Sequence, residues 1–166
     1  MKGASARSIA ASVLGLAALP GGAAFSETTA PSPVLALAGR WAGLATMTPA
    51  TGPAEPFKCV MTYVPNSDGT RVKQNLRCKG EQSKIDAATQ LLIDDGKVTG
   101  KWQDNIYALD GTVSGTFSAT GFDLKLEGDY FQASMIITNS ACEQQLKLVP
   151  RDTSDMKEMA ALLKRC

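Results

Sequence analysis

The sequence contains no histidine, and this absence excludes several classes of enzyme at once. Histidine is the usual general base near neutral pH, the commonest zinc ligand and the usual axial ligand of haem. The four cysteines lack the close Cys-x-x-Cys spacing of zinc sites, and no glycine-rich phosphate loop or Gly-x-Ser-x-Gly motif occurs. We therefore expect no enzyme activity, no metal and no cofactor.

Two weaker chemical signals have simpler structural explanations. A glycosidase-like acid/base pair would need two carboxylates in one cleft, but the clustered ones fall almost entirely at predicted turns. These carboxylates are Asp94, Asp95, Asp104, Asp110, Glu127 and Asp129. Met47, Met61 and Met135 resemble a soft copper-binding set, yet methionines on an apolar face usually pack against one another. Neither signal predicts a catalytic or metal site.

No apolar run is long enough to span a bilayer as a helix. The run at 8–19 follows Lys2 and Arg7 and precedes a Pro-Gly-Gly break with two alanines, an order typical of secretory signal peptides. We expect residues 1–24 to be a signal peptide and residues 25–38 to form a flexible leader. No cysteine follows the apolar run, so we expect a periplasmic or secreted protein without a lipid anchor or an integral membrane segment.

The expected mature chain is nearly neutral. Cleavage after residue 24 removes two of the 17 basic residues and none of the 16 acidic ones, which leaves a net charge of −1. This balance gives no electrostatic reason to expect nucleic acid as a partner. About 130 remaining residues suit one domain, and four cysteines in an exported chain indicate two disulfides.

Alternating apolar and polar residues, broken by turn signals every 8–14 positions, predict an all-β fold over residues 39–149. The predicted strands are 39–48, 57–64, 71–79, 84–93, 97–103, 111–118, 121–128, 132–138 and 142–149. Short connections favour an antiparallel up-and-down barrel of eight or nine strands. Met156, Met159, Ala160 and Leu163 have helical spacing, so a C-terminal α-helix packed on the barrel is expected at 150–166.

The spacing of the cysteines predicts how they pair. A turn centred on Asp68-Gly69 pairs residues whose numbers sum to 137, which places Cys59 opposite Cys78 on the inner face. A helix that folds back along the last strand would bring Cys166 to Cys142. The outer face of this hairpin is basic, and we interpret it as solvated surface, with a site for an acidic partner as the alternative. Its residues are Lys58, Arg71, Lys73, Asn75 and Arg77.

The motif Asp-Gly-x-Val-x-Gly-x-aromatic occurs at Asp95–Trp102 and again at Asp110–Phe117. A duplicated binding element is one explanation, but a strand start used twice is the interpretation we favour, with the glycines marking bends or close approaches. The predicted inner face mixes bulky and small residues, which fits either a filled core or an open cup. If a cup exists, Tyr63, Trp102, Phe117 and Met135 are its expected lining.

Three motifs resemble the calycin superfamily, most of all the lipocalins. The first strand opens with Gly39-Arg40-Trp41, Gly128-Asp129-Tyr130 resembles the lipocalin Thr-Asp-Tyr turn, and Arg151 resembles the arginine that packs over the first-strand tryptophan. The resemblance implies a barrel in which Gly39, Trp41 and Arg151 are structural, and it suggests a ligand in the cup. The chain also looks like small exported proteins of α-proteobacteria.

These observations favour an exported, non-enzymatic barrel that binds a small apolar or amphipathic ligand in its interior. The alternative is a periplasmic protein-interaction module or protease inhibitor that acts through the barrel surface or the leader. A binding titration and a pull-down with and without the leader would separate the two hypotheses.

Overall fold

A computed structural model describes residues 32–151 and 155–166, so the expected signal peptide and residues 25–31 of the leader lie outside the described part. After a short 3₁₀ helix, Leu35–Leu37, the described chain forms ten strands. They are β1 Gly39–Pro49, β2 Glu55–Pro65, β3 Arg71–Lys79, β4 Lys84–Asp94, β5 Lys97–Asp104, β6 Leu109–Ser118, β7 Gly121–Glu127, β8 Gln132–Asn139, β9 Glu143–Pro150 and β10 Met156–Lys164.

Every strand pairs antiparallel with the next one along the chain, and β1 pairs with β10, so the sheet closes on itself. Closure leaves no unpaired strand edge. The predicted all-β, antiparallel, up-and-down barrel is therefore confirmed, with ten strands in place of eight or nine.

The predicted C-terminal helix is wrong, because Met156–Lys164 is the tenth strand. Met159 and Leu163 are four residues apart, a spacing that puts them on one side of either a helix or a strand. Ala161 decides between the two, since it is buried with them while Ala160 is exposed. As a strand, the segment hydrogen-bonds to both β1 and β9, which a packed helix would have left as open edges.

Both predicted disulfides are present, Cys59–Cys78 and Cys142–Cys166. The first joins directly opposed residues of β2 and β3, in the register derived from the turn. The second forms because β10 runs back along β9 until Lys164 lies opposite Glu143. The pairing was thus right, although a strand and not a helix returns the chain.

The inner face of the barrel is the hydrophobic core. Side chains of alternate residues point inward on every strand, and the largest of them are almost completely buried. Those with less than 2% exposure include Trp41, Phe57, Met61, Tyr63, Leu124, Ile137, Leu146, Met159 and Leu163. The inside–outside alternation read from the sequence is therefore correct through all nine predicted strands.

Glycines in the repeated motif lie where neighbouring strands approach closely. A Cβ atom on Gly100 would collide with the carbonyl oxygen of Gln90, and one on Gly115 would collide with that of Asp123. Side-chain-free positions of this kind let a small barrel coil tightly. This geometry supports a structural origin for the repeat.

One end of the barrel, called the plugged end, is covered by residues 32–38. In place of the flexible leader expected up to residue 38, this segment buries Val34 and Leu37 in the core cluster. Burial of two apolar side chains offsets the entropy cost of ordering the segment. The plugged end also carries the β8–β9 turn and the C-terminal disulfide, because β9 begins and β10 ends there.

Candidate functional site

The four residues expected to line a cup do not share one cavity. Tyr63 and Phe117 lie near the C-terminal ends of β2 and β6, at the plugged end of the barrel. Trp102 lies near the C-terminal end of β5, at the opposite end of the barrel. Met135 is buried in the middle of β8. Each of the four belongs to the packed inner layer or borders it. Their shared inward direction was predictable, but their separation around the barrel depends on strand order and tilt.

Tyr63 is the centre of a buried polar chain that crosses the interior. Its hydroxyl donates to Gln144 Oε1 at 3.2 Å and accepts from Gln74 Nε2 at 3.4 Å, and Gln144 Nε2 donates to Asn139 Oδ1 at 2.7 Å. Because β1 and β10 separate β2 from β9, the Tyr63–Gln144 bond spans the lumen. Burial raises the pKa of the Tyr63 phenol well above its ordinary value. This chain ties opposite walls together.

Trp102 packs near the other end of the lumen. Its ring meets Phe131 edge-on, with centroids 5.8 Å apart, and a Cβ on Gly111 would come within 2.7 Å of the indole nitrogen. That nitrogen is buried without a hydrogen-bond partner among the described residues, as is Gln74 Oε1. Tight packing around Trp102 favours a structural role for its ring at this position.

A small pocket of about 250 Å³ opens at the plugged end, and Trp41, Phe117 and Arg165 line it. The indole nitrogen of Trp41 donates to the Leu37 carbonyl at 3.0 Å. The Arg165 guanidinium lies 4.4 Å from the Trp41 ring centroid and donates to the carbonyls of Ala36 and Ala141. These contacts fasten the plug to the C-terminus.

The arginine over the first-strand tryptophan is therefore Arg165, where the sequence resemblance had suggested Arg151. Arg151 instead donates to the Glu127 carboxylate at 3.1 Å. This ion pair lies at the end of the barrel opposite the plugged end, where β10 begins. The difference follows from the tenth strand, which carries Arg165 to the start of β1. Gly39 precedes Trp41 with φ of +109°, a backbone conformation that favours glycine.

A larger depression, called the outer groove, crosses the outside of the wall from β2 to β6 and has a volume of about 1200 Å³. Its floor is the wall itself at Val72, Leu91 and Gly100. No side chain from the opposite wall lines it, so it is separate from the lumen. The outer groove is spacious enough to receive a small-molecule ligand.

Two rows of outward side chains cross the outer groove in register. Lys73, Gln90 and Lys101 form one row, because Gln90 lies opposite both lysines. Two residues further along the strands, Arg71, Leu92 and Thr99 form the next row.

Apolar side chains adjoin these rows. Val64 extends the lysine row onto β2 and is 55% exposed, and Leu92 is 46% exposed. Ala88 contributes only a methyl group and thereby deepens the groove. The surface is therefore a mixture of cationic and apolar groups.

The β5–β6 loop borders the outer groove and is held in a fixed shape. The buried Asp104 carboxylate accepts from the backbone nitrogens of Ile106 and Tyr107 at 2.8 and 2.9 Å, and from Asp86 at 3.3 Å. Ala108 has φ of +53°, an uncommon value for a residue other than glycine. The loop leaves Ile106 and Tyr107 exposed at its tip. Asp104 thus serves turn geometry, as its position in the sequence suggested.

Sequence reasoning missed the outer groove. It placed Arg71 and Lys73 on a wet basic face, but nothing in the local pattern brought Lys101 next to them. Cross-strand register through β4 makes that connection. The signal that could have found it is the shared parity of outward residues on three consecutive strands.

Within residues 32–151 and 155–166, no group of histidine, cysteine and acidic side chains could hold a metal ion. The same part of the chain contains no helix long and apolar enough to cross a membrane.

Comparison with known proteins identifies a shared fold. The solved structure of the S-type phycobiliprotein lyase CPES from Guillardia theta is similar to this barrel, with a TM-score of 0.55 and 12% sequence identity. The match covers 80% of this chain and 90% of that chain. No protein-family model and no curated protein sequence matches the chain.

This match overturns the expectation that the protein is not an enzyme. That expectation depended on missing histidines and missing motifs, yet the same barrel fold occurs in a protein named as a lyase. Absence of familiar catalytic motifs therefore does not exclude an enzyme-like role for this architecture.

Proposed function

We propose that the protein is a ligand-handling barrel that binds a small amphipathic molecule in the outer groove. The observation that carries the proposal is the 1200 Å³ depression with exposed apolar side chains beside cationic ones. Ligand sites are typically concave, largely apolar and supplied with a few polar groups that fix orientation. The outer groove is concave and combines exposed apolar side chains with polar ones that could fix a ligand's orientation.

Packing favours the outer groove over the barrel interior. The side chains that would line an internal cup are nearly inaccessible, Tyr63 at 1% and Met135 at 5% exposure. Repacking such a layer around a ligand would open cavities or strain side chains, at a cost of several kcal/mol. Groove binding requires neither. The fold shared with a phycobiliprotein lyase supports a role in handling a small molecule.

A fluorescence titration with anilinonaphthalene sulfonate, an amphipathic anion, tests the proposal. The wild-type protein should give saturable enhancement, and Ala88→Trp should abolish it by filling the groove. Ala160→Trp is the control, because Ala160 is another outward-facing alanine, on β10 away from the groove. Thermal unfolding followed by circular dichroism confirms that both variants fold. Equal binding by the two variants, or no saturable binding by wild type, would refute the proposal.

We also propose that the protein acts after export, in the periplasm or outside the cell. Two disulfides are typical of oxidising compartments. The order of charges, apolar run and small residues within 1–24 supports a cleaved signal peptide. Fractionation and N-terminal sequencing of the mature protein test this. A protein recovered from the cytoplasm with residue 1 retained would contradict it.

A further inference from the structure

We propose that the ligand of the outer groove carries two negative charges about 10 Å apart, an inference that rests on the proposed function. Lys73 and Lys101 lie opposite the same residue, Gln90, from its two sides. Neighbouring strands are about 4.8 Å apart, so two steps separate the lysine backbones by roughly 10 Å. Alternation directs both side chains outward, where both are exposed.

Neither lysine has an ion-pair partner among the described residues. The ion pairs there involve Arg77, Arg151, Lys147 and Lys164 instead. Arg77, on the same outer face of β3, forms an ion pair with Asp86, so its charge is already compensated within the protein. Lys73 and Lys101 therefore remain available to an external anion.

The other charged groups around the outer groove leave its centre positive. Arg71 lies at one margin of the groove, where the neighbouring Asp68 carboxyl has a pKa lowered mainly by hydrogen bonds from Thr70 and least by the charge of Arg71. Asp104 is committed to the backbone nitrogens of its loop. Asp110 lies opposite Gln103, at the far margin. Two cations thus face the middle of the groove without a competing carboxylate between them.

Gln90 adds polar recognition between the two lysines, and Leu92 provides an apolar surface in the neighbouring row. A ligand with an apolar body and an anionic group at each end would satisfy all of these side chains together. A ligand with one charge would leave one lysine without a partner. The chemical class inferred is therefore a dicarboxylate, or another dianion, with an apolar spacer.

Isothermal titration calorimetry with decanedioate, decanoate and decanol tests the inference. Decanedioate should bind most tightly and decanol most weakly. Lys73→Gln/Lys101→Gln should weaken decanedioate binding roughly tenfold and remove its advantage over decanoate, as expected for two exposed ion pairs. Higher salt should reduce the same advantage. Lys58→Gln/Lys125→Gln is the control, because it removes the same charge from outward positions that do not line the groove.

The outcomes separate this inference from the proposed function. Equal affinity for decanedioate and decanoate, with both blocked by Ala88→Trp, would overturn the two-charge inference and leave groove binding intact. An equal loss in both lysine pairs would also overturn it, since net charge alone would explain the result. No binding of any probe, or binding that ignores Ala88→Trp, would overturn both.

Discussion

The plugged end and the outer groove are formed by different parts of the chain, and they differ in whether their polar and charged side chains have partners. At the plugged end, residues 32–38 meet the C-terminal residues, and Trp41, Tyr63 and Arg165 all have hydrogen-bond or ring partners. The outer groove comes from the middle strands and leaves Lys73 and Lys101 without ion-pair partners among the described residues. From this difference we infer that the plugged end contributes most to stability and that the outer groove is the region suited to binding.

Replacement of Trp41 by alanine should be the most damaging change at the plugged end. Trp41 is 0% exposed, and truncation of a fully buried tryptophan typically costs about 3 to 5 kcal/mol of unfolding free energy. Its loss also removes the hydrogen bond to Leu37 and the ring under Arg165. Urea unfolding measures the change. A loss below about 1 kcal/mol would mean that the plug is not held by this ring.

Removal of the terminal disulfide should have the next largest effect. Cys142→Ser/Cys166→Ser releases a link between residues 24 apart, for which loop-closure entropy gives about 3 kcal/mol. Both cysteines are exposed, so the serine hydroxyls remain solvated. Hydrogen exchange should accelerate in β10 first, since its last residues lose their anchor. Unchanged exchange there would show that hydrogen bonding to β1 and β9 suffices.

Tyr63→Phe should cost about 1 to 2 kcal/mol, because Gln144 and Gln74 lose a buried partner. The pKa of Tyr63 is raised by burial, so the unfolded chain ionises first as pH rises. The contribution of Tyr63 to wild-type stability should therefore be constant below pH ~10 and fall above it.

Tyr63→Phe has no phenol to ionise, so its stability should not fall above pH ~10 for this reason. The difference in unfolding free energy between wild type and Tyr63→Phe should therefore be smaller at high pH than at neutral pH. Urea titrations at several pH values measure both curves. If the stability curves of wild type and Tyr63→Phe run parallel above pH ~10, the raised pKa of the Tyr63 phenol is contradicted.

Lys73→Gln/Lys101→Gln should have the smallest effect on stability, within about 0.5 kcal/mol, since both side chains are exposed and lack ion-pair partners. A substantial gain in stability would show that the two charges strain the empty groove. A substantial loss would mean that they stabilise the wall, and the division between the two regions would fail.

Strand parity is the part of this structure that was accessible from sequence. The turn at Asp68-Gly69 fixed the opposition of Cys59 and Cys78, because antiparallel register propagates residue by residue from a tight turn. Met156–Lys164 was assigned incorrectly because residues four apart satisfy helix and strand patterns alike. The partners of Tyr63 and the neighbours of Lys101 were inaccessible, since each depends on strands distant in sequence.

The sequence by itself determined which residues face inward, where the turns lie, and which cysteines pair. These follow from a period of two along each strand and from local turn chemistry, both of which are written in neighbouring residues. Only the tertiary structure decided that a tenth strand closes the barrel, that Arg165 covers Trp41, and that two lysines border a groove. Those features depend on strand order and tilt, and both are set when the sheet closes and every strand pairs with a neighbour on each side.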